Sequence, residues 1–126
     1  MARRKPPKDP MRKVIQYFIS ADRSIQFVGA PGPIAGGAAG GAGIEIQIVI
    51  MDADSTINTF NSEDTVNLAV SGSAQMSKAN PQYFIDGVAT LRITDAVAET
   101  VTLTLSGGTA AGRGLALYST LQIIFN

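Results

Sequence analysis

Cysteine, histidine and tryptophan are all absent from these 126 residues. Without cysteine there is no disulfide framework, no thiol nucleophile, no Cys-ligated zinc and no iron–sulfur cluster. Without histidine there is no imidazole to serve as a triad base or a metal ligand. Carboxylate, lysine or serine chemistry remains, or no chemistry. A nucleophile–base pair or a metal constellation is not recognisable among these residue types, so the chain reads as non-enzymatic and without a cofactor. Long apolar runs are missing too. The longest uncharged, mostly apolar stretch, Phe27–Ile44, contains seven glycines and two prolines, and only Phe27, Val28, Ile34 and Ile44 are large. Such a stretch makes a poor membrane span, because glycine and alanine contribute little transfer energy and Pro31 and Pro33 interrupt a helix. The apolar segment Val14–Ile19 is broken by Gln16 and followed by Ser20, Ala21, Asp22 and Arg23. It is too short and polar for a secretory leader, so no Sec export is expected.

What the chain does have is charge divided along its length. Ten basic residues balance ten acidic ones. Residues 1–23 hold seven basic residues (Arg3, Arg4, Lys5, Lys8, Arg12, Lys13, Arg23) against Asp9 and Asp22, a net +5. Residues 24–126 hold Lys78, Arg92 and Arg113 against eight carboxylates, a net −5. This pattern describes a basic arm on a mildly acidic body. Pro6, Pro7 and Pro10 favour an extended arm, since proline cannot donate to regular pairing. The expected division is an arm over residues 1–23 running into a first strand, and one β domain over residues 24–126.

Beyond the arm, hydrophobicity alternates with period two. Ile44, Ile46, Ile48 and Ile50 form one such series, as do Val66, Leu68 and Val70. Ala89, Leu91 and Ile93, then Val101, Leu103 and Leu105, form two more. Leu115, Leu117, Leu121, Ile123 and Phe125 keep one parity through the last segment. Alternate side chains of a strand face opposite sides, so each run has a buried and a wet face. Antiparallel sheets with one face on a core carry this pattern. Turn-forming groups such as Asp52-Ala53-Asp54-Ser55, Asn80-Pro81, Asp86-Gly87 and Gly107-Gly108 separate the runs. With Val14–Ser20 and Ser24–Val28 included, and Thr56–Phe60 and Gln82–Ile85 as weak members, about eight strands are expected. They imply an all-β sandwich or barrel.

The order of motifs from Ser24 onward resembles bacterial immunoglobulin-like domains. The resemblance rests on Ile44–Met51 with the acidic turn Asp52-Ala53-Asp54, and on Thr65-Val66-Asn67-Leu68-Ala69-Val70-Ser71-Gly72. It also rests on Phe84-Ile85-Asp86-Gly87-Val88-Ala89-Thr90-Leu91 and on Ala98-Glu99-Thr100-Val101-Thr102-Leu103-Thr104-Leu105. It implies an immunoglobulin-like antiparallel β-sandwich of the kind found on phage virion proteins and bacterial surface proteins. A single module without an export signal fits the virion setting, on a capsid or tail, with the host cytoplasm as its site of assembly.

Candidate sites divide by segment. Gly29–Gly43 is not a phosphate loop, which needs a Gly-x-x-x-x-Gly-Lys run; no Lys or Arg lies between Arg23 and Lys78. It reads as a loop between strands, with a membrane-active loop or one that orders on a partner surface as alternatives. Asp52, Asp54, Glu63, Asp64, Asp95 and Glu99 could supply oxygens to calcium, but the pattern lacks an EF-hand's glycine and distal glutamate. They read as solvated turn carboxylates. The arm residues Arg3, Arg4, Lys5, Lys8, Arg12 and Lys13 are the candidate docking residues. Their partner would be an acidic protein surface such as a capsid shell or a neighbouring subunit, including another copy of the chain. Two other readings stand beside this one: a nucleic-acid-binding accessory that uses the same cations, and a carbohydrate-binding or adhesion module that uses exposed tyrosines among Tyr17, Tyr83 and Tyr118.

Overall fold

The computed structural model describes residues 23–52, 54, 56–59, 62–112, 115–117 and 120–126. The expected strand Val14–Ser20 and the six docking residues of the arm lie outside them. The described chain is built from strands in two sheets packed face to face, with one short helix. The strands are β1 (Ser24–Phe27), β2 (Ile34–Gly37), β3 (Ile44–Met51), β4 (Thr65–Val70), β5 (Gln75–Met76), β6 (Gln82–Tyr83), β7 (Val88–Thr94), β8 (Thr100–Ser106), β9 (Ala116–Leu117) and β10 (Leu121–Phe125). The helix, α1, is Gly108–Gly112.

Sheet one has the order β5-β7-β3-β1-β9, and sheet two the order β2-β10-β8-β4-β6. The longest alternating run, β3, lies at the centre of sheet one. It pairs with β7 from Ile44 opposite Ile93 to Val49 opposite Val88, and with β1 from Ser24 opposite Met51 to Phe27 opposite Ile48. In sheet two, β8 lies between β4 and β10. The alternating positions build the core as the period requires. Ile46, Ile48 and Ile50 are buried, with Leu91 and Ile93 beside them in sheet one. Val66, Leu68, Val101, Leu103, Leu121, Ile123 and Phe125 are buried from sheet two. Their opposite-parity neighbours Glu45, Gln47, Arg92, Thr104 and Gln122 are exposed. Burial of this apolar surface is the main force holding the sheets together, at about 25 cal/mol per Å².

Four expectations are corrected. Among the described residues ten strands form, against about eight expected for the chain with Val14–Ser20 included, because several two-residue pairings sit at the sheet edges. Among the described residues of Thr56–Phe60 there is no strand, and Ile57 makes an isolated bridge to Met51. The segment Gly29–Gly43 is not a loop throughout, since it contains β2, paired with β10. The reason is Gly36: a Cβ there would come within 2.6 Å of the Phe125 ring and 2.7 Å of Ile123 Cγ2. Only a residue without a side chain lets this edge strand lie so close to β10. Finally, the sheets are not purely antiparallel. The pairings β1–β9 and β2–β10 are parallel. They arise because β1 and β2 are successive strands placed in different sheets, so each sheet edge meets a C-terminal strand running the same way. The last alternating run is likewise split, with β9 in sheet one and β10 in sheet two.

Candidate docking site

Arg23 joins the basic arm to the sandwich. Its Nε donates to Asp52 Oδ1 at 3.0 Å, and its carbonyl accepts the Ala116 N–H at 3.2 Å. Ser24 is already buried as the first residue of β1. A pull on the arm is therefore carried into β1, which pairs directly with the central strand β3. The ion pair itself is partly solvated and adds at most about 1 kcal/mol.

The acidic residues do not converge on one another. Among the described residues, no group of three or more His, Cys, Asp or Glu side chains is placed to hold a metal ion. Each carboxylate serves its own neighbourhood. Asp64 is buried and accepts from Thr109 Oγ1 at 3.1 Å. That same hydroxyl accepts the Thr65 N–H at 2.8 Å, and Thr65 Oγ1 accepts the Thr109 N–H at 3.1 Å. This clasp fastens α1 to the start of β4. Glu99 Oε2 accepts the Ser73 N–H at 2.7 Å.

Asp54 closes its own turn. Its Oδ1 accepts the Thr56 hydroxyl at 2.6 Å and the Thr56 N–H at 3.2 Å. These two bonds, the hydroxyl first, hold the carboxyl below its ordinary 3.8. A depressed carboxyl favours the folded state above the ordinary value, and the benefit is lost as pH falls through the folded value. Thr56→Val is expected to raise the Asp54 pKa toward 3.8 in a carboxyl NMR titration. An unmoved titration would reject the hydroxyl as the main cause.

At the far end of sheet one, three distant segments enclose a hollow of about 240 Å³. It is lined by Gly40 and Gly41, Ser73 and Gln75, and Thr94, Asp95 and Ala96. Asp95 is 3% exposed. Its carbonyl accepts the Gly40 N–H at 2.7 Å, and Oδ1 accepts the Val97 N–H at 2.9 Å. Oδ2 is buried without a hydrogen-bond partner. Arg92 holds the neighbouring loop through bonds of 3.1 Å from Nη1 to the carbonyls of Ala42 and Gly43. The turn reading of Asp95 accounts for Oδ1 but gives no hint of the buried second oxygen. The hollow itself brings Asp95 together with residues some 20 and 55 positions away, which no local pattern connects.

A second, shallower hollow of about 290 Å³ is lined by Val28, Ile34, Glu45, Ile46 and Gln47. Tyr83, in the edge strand β6 of sheet two, is 68% exposed, and Ile85, bridged to Val88 of β7, is 71% exposed. Tyr17 and Tyr118 lie outside the described residues, whereas Phe27, Phe84 and Phe125 are buried in the core. None of the helices among the described residues is long and apolar enough to cross a membrane.

No protein-family model matches the chain, and no curated protein matches it in sequence.

Proposed function

We propose that the chain is a structural attachment protein, an immunoglobulin-like module of a phage virion (capsid decoration or tail) anchored through its basic arm. The observation that carries this reading is the junction at Arg23 and Ser24, which ties the +5 segment to β1, the partner of the central strand β3, in a −5 body. A cationic tether rooted in a rigid sheet is suited to steering and holding the body on an acidic protein surface. The immunoglobulin-like part is supported by strand order. Such folds place strands A, B, E and D in one sheet and C, F and G in the other. Here β5-β7-β3-β1 follows the order D-E-B-A, and β10-β8-β4 follows G-F-C. The departures are β2, β6 and β9 at the edges, and the lack of the cysteine pair and tryptophan that mark antibody domains.

Deleting residues 1–13 and measuring occupancy on purified particles tests the proposal. Loss of binding is expected, with the truncated body still folded by circular dichroism. Unchanged occupancy would eliminate the anchoring role. A second reading, a carbohydrate-binding module, draws on the exposed Tyr83 beside Ile85. A glycan array with a hit abolished by Tyr83→Ala would favour it over attachment through the arm.

A further inference from the structure

We propose that the outward face of sheet one, at the end where the arm is rooted, is a seat for the apolar stripe Met11, Val14, Ile15, Phe18 and Ile19 of the same chain. The inference does not rest on the anchoring role. It states how the last part of the arm is held against the body.

Strand register defines the seat. Directly opposite residues of paired strands share a face. The outward positions of β3 are Glu45, Gln47, Val49 and Met51. Glu45 and Gln47 are exposed and stand opposite Arg92 and Thr90 of β7. The other two belong to a different surface. Val49 stands opposite Val88 on one side and Gln26 on the other, and Met51 opposite Ile57 and Ser24. One sheet face therefore turns from charged and polar to Val49, Met51, Ile57 and Val88 as it nears the arm. Val49 and Ser24 point away from the core, yet each is 5% exposed. Met51 and Val88 are half-buried, and Ile57 is 40% exposed. The floor of this patch is shielded and its rim is open. Apolar side chains on an outward face are stabilised by a cover that takes them out of water.

The arm carries a matching cover. Met11, Val14, Ile15, Phe18 and Ile19 recur at i, i+3, i+4, i+7 and i+8, the spacing of one helix face. Arg12, Lys13, Gln16, Tyr17 and Ser20 fall between them. A strand would send Val14 and Ile15, and likewise Phe18 and Ile19, to opposite faces. Helical spacing keeps all five together and leaves Arg12 and Lys13 for water. The stripe spans about 12 Å of helix axis. The seat is of similar width, since Ile57 and Ser24 flank Met51 and lie two strand spacings, about 10 Å, apart.

Reach selects the chain's own stripe. Ile19 precedes Ser24 by five residues, which span at most about 17 Å. Met51 is the register partner of Ser24, so the seat begins beside the point where the arm enters β1. Arg23 is held by Asp52 and Ala116. Ser20, Ala21 and Asp22 then supply about 10 Å, the height of one packed layer above a sheet.

Thermal denaturation of full-length variants tests the seat. Ile15→Asp and Phe18→Asp each place a charge on the stripe and are expected to lower the melting temperature by roughly 5 °C or more. Gln16→Asp and Ser20→Asp place the same charge on the opposite side and are expected to leave it unchanged. The chain has no cysteine of its own. Ile57→Cys, combined in turn with Ile15→Cys and Phe18→Cys, is therefore expected to give a monomeric disulfide in at least one pairing. Ile57→Cys with Gln16→Cys shares the tether but not the face, and is expected to oxidise more slowly. Equal melting temperatures in all four Asp variants, or equal oxidation in all three pairings, would overturn the proposal. A disulfide-linked dimer, or a melting temperature that rises with protein concentration, would assign the stripe to a second copy and overturn the seat as stated. If the stripe variants are destabilised while deletion of residues 1–13 leaves particle occupancy unchanged, the seat stands and the anchoring role falls.

Discussion

A Gly43→Val variant is expected to lose about 3–5 kcal/mol of folding stability, combining backbone strain with overpacking. Gly43 has φ +78°, in the region that β-branched residues avoid. It immediately precedes Ile44, the first residue of β3. A Cβ at Gly43 would strike the Ile93 carbonyl and come within 2.7 Å of Thr94 Cγ2. Neither neighbour can yield cheaply. Ile93 is the register partner of Ile44, fully buried, and any retreat opens the β3–β7 pairing at its start. The loop carbonyls of Ala42 and Gly43 are also bound by Arg92, so the turn cannot simply swing outward. With about 4–8 °C lost per kcal/mol for a domain of about 100 residues, the melting temperature is expected to fall by roughly 12–40 °C. Gly37→Val isolates the backbone term, since Gly37 has φ +91° but nothing within 4 Å of its notional Cβ. Its loss is expected to be about 1–3 kcal/mol, from strain alone. Thermal denaturation followed by circular dichroism compares the two. Equal melting temperatures would mean that the contact with β7 contributes nothing.

The parts of the fold legible in the sequence are those where burial is decided along a single strand. Ile46, Ile48 and Ile50 are buried because every second residue of β3 faces the other sheet. The same rule places Leu91 and Ile93, Val101 and Leu103, and Leu121 and Ile123. What escaped is everything decided between strands. β2 has the sequence Ile-Ala-Gly-Gly and carries no alternation to read. It is a strand because Phe125 and Ile123 leave room for backbone at Gly36 and for nothing larger. The run from Leu115 to Phe125 keeps its parity, yet its halves, β9 and β10, lie in different sheets. Parity reports which face is buried and says nothing about which sheet buries it.

The candidate site was harder to read for the same reason. The Asp95 hollow unites residues 40 and 41, 73 and 75, and 94–96, three segments that no local pattern connects. Asp64 shows the same limit: its place in an acidic turn suggested solvation, but the clasp with Thr109, 45 residues later, takes it out of water. Charge segregation was the one functional signal spread along the chain itself, and the structure adds that the junction of the two halves is rooted in sheet one through Arg23 and β1.

Ile48→Ala is expected to cost about 3–5 kcal/mol, at the upper end for such truncations. Ile48 is fully buried on the central strand of sheet one, directly between Phe27 of β1 and Ala89 of β7. Both neighbours are held by ladder hydrogen bonds, so the sheet cannot collapse into the space that three missing carbons leave. The cost of a cavity rises when its walls cannot relax, by about 24 cal/mol per Å³ of void remaining. Ile124→Ala supplies the contrast. Ile124 removes the same atoms from a strand of the opposite sheet, but at 42% exposure and on the outward parity of β10. Its cost is expected to stay within about 0.5–1 kcal/mol. Urea denaturation of both variants measures the difference at one temperature, with the slope checking that each still unfolds as one unit. Equal losses would contradict the assignment of faces, because one isoleucine would have to be buried as deeply as the other. A large gap ties the period-two pattern of the sequence to the two-sheet core: the same side chain holds the sandwich together at one parity and is dispensable at the other.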